Sequence, residues 1–123
     1  MNTDYIKFLV VYIVIDMIWI IGANKWHTNN VKSVQKSPLD INLTAAGLYY
    51  LLAPLSYVFI IKPLSKNKKE IVKNAMLVGL LMYGTFDLTN KALFKNYSWK
   101  YTFADMLWGM TSMTATSVIV NSF

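Results

Sequence analysis

Four stretches of the chain run almost uninterruptedly apolar: residues 5–23, 43–61, 71–90 and 101–120. Each is close to the roughly 20 residues that an α-helix needs to cross about 30 Å of hydrocarbon. The second carries no charge over its whole length, a composition that a helix with one solvated face would not tolerate. The pattern predicts an all-α fold, a polytopic membrane four-helix bundle forming a single integral membrane domain over residues 1–123. A helix satisfies its backbone internally and therefore crosses lipid without exposing polar groups. The intervening segments 24–42, 62–74 and 91–100 read as loops and turns too short to hold a soluble domain. Four crossings place both termini on one side. Gly22 and Ala23 give the first stretch the small residues of a signal-peptide end, but Asp16 interrupts its apolar core, so it reads as a retained span.

Composition sharpens this picture. Of 123 residues, 55% are hydrophobic and only 15% charged, against roughly 25% in a soluble domain. Cysteine is absent, which excludes disulfide scaffolds, thiolate metal sites and thiol catalysis. The net charge of +6 comes from 12 basic residues, all lysine, against six acids. Without the guanidinium fork that reads phosphates and base edges, nucleic acid is not an expected partner. Lysines between apolar runs fit a lipid headgroup surface instead.

Orientation follows weakly from charge. The lysines divide evenly between Lys7, Lys62, Lys66, Lys68, Lys69 and Lys73 on the side of the termini and Lys25, Lys32, Lys36, Lys91, Lys95 and Lys100 on the other. The dense basic loop around Lys66–Lys69 favours termini in the cytoplasm. The sequons at Asn42 and Asn96 fall on the opposite side and agree. The even division also permits insertion both ways up.

Three aspartates fall inside the spans: Asp16 in the first, Asp87 in the third and Asp105 in the fourth. Intramembrane acids are costly and mark functional positions by default. Counted from the helix ends, all three lie at similar depth, so they are expected to converge in one half of the bundle. Helical spacing puts Tyr12, Asp16, Trp19 and Ala23 on one face, Gly79, Tyr83, Asp87 and Asn90 on a second, and Asp105, Trp108, Gly109, Ser112 and Thr116 on a third. The second helix offers Gly47, Tyr50, Pro54 and Tyr57. Tyrosine hydroxyls and the Asn90 amide are the expected donors to the carboxyls, and Lys91 either pairs with Asp87 or reaches the headgroups. The expected polar site is Asp16, Tyr83, Asp87, Asn90 and Asp105, supported by Tyr12, Trp19, Tyr50, Gly84, Trp108 and Gly109. The competing reading makes these groups hydrogen-bonded glue between helices.

The remaining candidates have simpler readings. Gly79, Gly84, Gly109 and Ala115 suit close helix packing, and Trp26 and Trp99 suit interfacial anchoring. His27 has no neighbouring ligands in the sequence, so no metal or cofactor is expected. No nucleophile-elbow, zinc-protease, P-loop or dinucleotide motif occurs. Acid–base catalysis by an aspartate pair ranks third among the functional readings.

The segment Tyr83-Gly84-Thr85-Phe86-Asp87-Leu88-Thr89-Asn90 resembles the Y-G-T-[YF]-D-L-T-N signature of a family of small predicted membrane proteins of unknown function, found in bacteria and some large DNA viruses. Asp16-Met17-Ile18-Trp19 resembles that family's D-x-x-W, Leu48-Tyr49-Tyr50-Leu51-Leu52 its F-Y-L-L, and Asp105-Met106-Leu107-Trp108-Gly109 its D-x-x-W-G. The sequence departs from the pattern at Ala53 and in its lysine-rich second loop. The resemblance implies a four-helix membrane protein and supplies no activity.

The expected function is a small proton- or cation-coupled transporter or channel, oligomeric because four short helices enclose little space. The alternative is a scaffolding protein, for example of a virion or organelle membrane, whose basic loop of Lys62, Lys66, Lys68, Lys69 and Lys73 binds a protein partner or anionic membrane lipid.

Overall fold

The computed structural model describes residues 2–123, and every regular element in it is helical. The helices are α1 (Asn2–Gly22), α2 (Asn24–Gln35), α3 (Leu43–Ser56), α4 (Lys68–Leu93) and α5 (Trp99–Asn121). A π-helical turn, Tyr57–Ile61, prolongs α3. The helix starts are written into the sequence. Asn42, Asn67 and Ser98 each accept a hydrogen bond from the backbone N–H three residues on, at Ala45, Glu70 and Tyr101, and so satisfy donors that the first turn leaves free. Glu70 returns the bond by accepting from the Lys66 N–H at 2.8 Å, a variant of the capping box.

The segment 24–42, expected as a loop, carries α2 instead. Its sequence is polar, yet His27, Asn30, Val31 and Val34 recur at helical spacing and face the bundle. A search for long apolar runs passes over so short an amphipathic helix. α2 ends at Lys36, whose backbone is left-handed (φ 62°) and whose N–H returns to the Lys32 carbonyl, the usual way of closing a helix before a proline-containing turn.

Three helical stretches, Thr3–Gly22, Leu43–Ile61 and Lys68–Leu93, are long and apolar enough to cross a membrane. α5 has the length but carries Ser112, Thr114, Thr116 and Ser117, which lowers its apolar character. Its position explains this. α5 packs against both α4 and α1, and Ser112, Thr116 and Ser117 are buried within the protein. Helical back-bonding satisfies Thr116 Oγ1, at 2.7 Å from the Ser112 carbonyl, and Thr102 Oγ1, at 2.7 Å from the Ser98 carbonyl, whereas the buried Thr114 and Ser117 hydroxyls have no partner.

The distribution of polarity is inverted relative to a water-soluble bundle. On α1, Ile6, Val10, Val14, Ile18 and Ile21 form one outward stripe, each 56–72% exposed. Inside lie Asp16, Asp87, Thr102, Asp105, Ser112, Thr116 and Ser117. Apolar outside and polar inside is the arrangement expected where the surrounding solvent is hydrocarbon. The apolar core is fullest toward the end holding the chain termini, where Phe8, Tyr57, Ile61, Ile71, Ala75 and Val120 meet, and it reaches Tyr12, Ala53 and Met113 in the middle of the bundle. Phe8 stacks on both Tyr12 and Tyr57. At this end Lys62 forms an ion pair with Asp4, joining the start of α1 to the end of the π-helical turn.

α4 and α5 approach most closely at two glycines. A methyl group on Gly79 would lie 2.4 Å from the Gly109 carbonyl oxygen, and one on Gly109 would lie 2.2 Å from the Tyr83 ring. Gly84 differs, since an added methyl there meets the ends of two side chains at ordinary contact distance, Met106 at 3.5 Å and Leu80 at 4.0 Å. Gly79→Ala and Gly109→Ala should therefore each destabilise the protein by about 1–3 kcal/mol through overpacking, while Gly84→Ala should be nearly neutral. Thermal unfolding of the purified protein in detergent checks the order.

Candidate functional site

The site is built on antiparallel helices. Trp19 meets Asp105 and Trp108 meets Asp16, so residue numbers rise on α1 as they fall on α5. Each helix carries an aspartate followed three residues later by a tryptophan, one turn along the same face. Trp108 Nε1 donates to Asp16 Oδ1 at 3.0 Å, and Trp19 Nε1 donates to Asp105 Oδ1 at 2.9 Å. Between these crossed bonds the two indole rings stack, 5.7 Å apart and 16° from parallel. Tyr50 of α3 completes the environment of Asp16 by donating to Oδ2 at 2.5 Å. Both oxygens of Asp16 are thus occupied.

Asp87, on α4, has no exposed surface. Its Oδ1 accepts from the Tyr97 hydroxyl at 2.7 Å. Its Oδ2 has no partner, and its carboxyl lies beside that of Asp105 with no hydrogen bond between them. Among the described residues the only salt bridge is Lys62 with Asp4, so none of the three interior acids has a basic partner. Lys91 does not pair with Asp87: its ammonium lies 5.3 Å from the centre of the Trp99 ring and donates to the Lys95 carbonyl. The acids are accommodated by indole and phenol donors alone. This works because hydrogen-bond donation, not opposite charge, is the minimum that a buried carboxyl requires.

One helical turn toward the termini, three phenols close a ring. Tyr12 bonds to Tyr49 at 2.6 Å and to Tyr83, and Tyr49 donates to Tyr83 at 3.1 Å. They come from α1, α3 and α4 and join these helices at one level. On the far side of the carboxyls, α2 and the α4–α5 connection form a roof. His27 bonds through Nδ1 to the Tyr101 hydroxyl at 2.5 Å and through Nε2 to the Trp19 carbonyl at 3.1 Å. Asn30 Oδ1 accepts from the Ser98 N–H at 2.9 Å.

Most of the predicted site residues thus assemble. Asp16, Asp105, Trp19, Trp108 and Tyr50 form one network, Asp87 lies beside Asp105 but is hydrogen-bonded only to Tyr97, and Tyr12 and Tyr83 lie beneath. The three carboxyls share a region and not a point, since no group of three or more acids and histidines among the described residues could hold a metal ion. Asn90 stands apart, lining a cleft beside Tyr97. Gly109 serves as the seat of the Tyr83 ring, and Gly84 touches nothing polar. Trp26 packs edge-on against Trp19 and Tyr101, whereas Trp99 is exposed and stacks on Phe103. Lys66, Lys68, Lys69 and Lys73 are exposed at the opposite end from the site.

Sequence reasoning missed Tyr49, Tyr97 and His27 as members of this network. Tyr49 adjoins Tyr50, and a second phenol in that run was the available signal. Tyr97 sits in the connection 91–100, read only as a short loop. Its burial follows from the brevity of the link, which turns the chain back over the ends of α4 and α5.

The model of a family described as "Predicted membrane protein (DUF2177)" matches residues 1–121. No curated protein and no solved structure matches the chain.

The crossed pairs share one indole stack, so their contributions should be coupled. Trp19→Phe and Trp108→Phe each leave a carboxylate oxygen without its donor and should cost about 1–3 kcal/mol. The double variant should depart from their sum by more than about 0.5 kcal/mol. Additive losses in detergent unfolding would show two independent bonds. Burial first, and then the bond to Asp87, pushes the Tyr97 phenol above its ordinary 10.0. A folded-state value above the unfolded one means that this stabilisation is complete below pH 10.0 and is lost as pH rises through the folded value. The stability gap between wild type and Tyr97→Phe should stay constant up to that pH and close above it.

Proposed function

The chain belongs to this family of predicted membrane proteins, and we propose that its interior carboxyls form the proton-exchange site of a small proton-coupled transporter, with α5 as a fourth crossing. The observation that carries this reading is Asp87, fully buried, with one oxygen unpartnered and Asp105 beside it. A single proton held between these two carboxyls makes one a donor and the other an acceptor. Its loss leaves two facing carboxylates in a medium of low dielectric, where they repel strongly. The pair is therefore a two-state element whose energy depends on one proton.

Asp16 has a different role. Both of its oxygens already accept hydrogen bonds, from Tyr50 and Trp108, so it holds α1, α3 and α5 together. The spread of the three acids speaks for a proton over a metal cation, which would need several oxygens around one point. The network also has a direction: toward the termini the buried hydroxyls of α5 end unpartnered at Ser117 among apolar side chains, while Tyr97 links Asp87 to the cleft at the other end. A polar site open toward one face and closed toward the other is one end state of an alternating-access cycle.

Wild-type protein in liposomes under a pH gradient should acidify the lumen faster than protein-free liposomes. Asp87→Asn should abolish that flux at unchanged thermal stability. Asp16→Asn should mainly lower stability. A wild type that carries no proton flux, with Asp87→Asn unfolding as readily as Asp16→Asn, would make all three acids packing elements.

A further inference from the structure

A cleft of about 200 Å³ opens between α2, the end of α4 and the α4–α5 connection. Its walls divide by chemistry. Val31, Val34, Phe86 and Phe94 make one side apolar, and Asn30, Gln35 and Asn90 bring amides to the other. No charged side chain lines it. At its inner end stands Tyr97, whose hydroxyl donates to Asp87 and has the Asn90 side chain beside it.

The amides are not consumed by the fold. Asn30 is only 6% exposed, and the Ser98 N–H fixes its Oδ1 at 2.9 Å. That bond sets the orientation of the amide and leaves Nδ2 without a hydrogen bond to any other described residue. Gln35 donates from Nε2 to the Ser37 and Pro38 carbonyls, which leaves its Oε1 as an acceptor. A buried polar donor held in place, an acceptor nearby and an apolar wall opposite match a ligand with one hydrogen-bonding head and an aliphatic body.

We infer that this cleft binds a neutral, single-chain amphiphile from the bilayer, its hydroxyl or amide head against Asn30 and Asn90 and its chain between Val34 and Phe86. A cation finds no counter-charge there, because no carboxylate lines the cleft and Asp87 is already bonded to the Tyr97 hydroxyl. A cleft of about 200 Å³ has room for a head group and the first carbons of one chain. Occupancy of the cleft brings the ligand's head within one phenol of the Asp87–Asp105 pair. That placement deepens the proton-coupling reading and rests on it for the coupling alone, since binding needs only the cleft.

The test uses the full chain in liposomes and an octanol carrying a diazirine on its chain as the probe. After photolysis, mass spectrometry should place the label on the segments holding Val31, Val34, Phe86 and Phe94. Excess octanol should displace it, and octyltrimethylammonium should not. Val34→Trp, which fills the cleft, should remove the label. Asn90→Leu, which keeps the volume and removes the amide, should weaken displacement by octanol about fivefold, the worth of one net hydrogen bond. Thermal unfolding on the same samples identifies a variant that fails to fold, and Asn90→Leu carries the test if Val34→Trp does so. Labelling spread evenly over the outward stripe of α1, or unchanged in a folded Asn90→Leu, would overturn the site and leave simple partition into lipid. Displacement by the ammonium compound would overturn the neutrality of the ligand. Cleft labelling in a protein without proton flux would support the binding site and remove the coupling, whereas flux without cleft labelling would overturn the binding site alone.

Discussion

Three carboxyl groups buried where no basic side chain reaches them set the terms for the rest of this fold. A carboxyl without donors in an apolar interior costs several kcal/mol, and an ion pair is not used to offset it. The donors are neutral: Tyr50 and Trp108 for Asp16, Trp19 for Asp105, Tyr97 for Asp87. Each comes from a different segment than the acid it serves. Satisfying the acids therefore requires α1, α3, α4, α5 and the α4–α5 connection to be in place together. The crossed pairs of Asp16 with Trp108 and Trp19 with Asp105 are the centre of this, because shifting α1 against α5 by one turn would break both bonds and the indole stack at once.

In lipid, apolar side chains gain little by leaving the surroundings for the interior, so packing and hydrogen bonding must hold the helices together. The structure uses both at the same level. Gly79 and Gly109 let α4 and α5 approach until a methyl group has no room, which places Asp87 beside Asp105. The Tyr12, Tyr49 and Tyr83 ring then ties α3 to the pair from below. Small residues bring the backbones together, and polar residues fix their register.

Much of this was legible in the sequence because the constraint is severe. An aspartate within an apolar run has few tolerable environments, and counting turns from the helix ends placed Asp16, Asp87 and Asp105 at one depth. The repeated Asp-x-x-Trp spacing on two helices held the crossed arrangement, but which indole serves which acid depends on helix direction and rotation, and those are set by packing. The length of α4, 26 residues, exceeded the predicted span because the capped start at Asn67 and the lysines after it are polar yet helical. α2 was invisible to a search for spans, since an interfacial helix needs only one face of mixed character. Asn90 could not be separated from the acids by spacing alone. It lies about one turn beyond Asp87 on nearly the same face, and the cleft it lines exists only because α2 and the α4–α5 connection close around it.

The polar groups are also graded along the bundle axis, and the grading has a physical consequence. At the end with the termini, Phe8, Tyr57, Ile61, Ile71 and Ala75 offer no continuous line of donors and acceptors. The phenol ring above them is closed on itself, because three hydroxyls bonded to one another satisfy their own donors. Toward the termini the buried hydroxyls of Ser112, Thr116 and Ser117 on α5 follow, but the Ser117 and Tyr57 hydroxyls have no partner, so the hydrogen-bonded chain is broken there. In the other direction one phenol, Tyr97, separates the carboxyl from a cleft lined by amides. Hydrogen-bond connectivity alone makes the two faces of the bundle unequal.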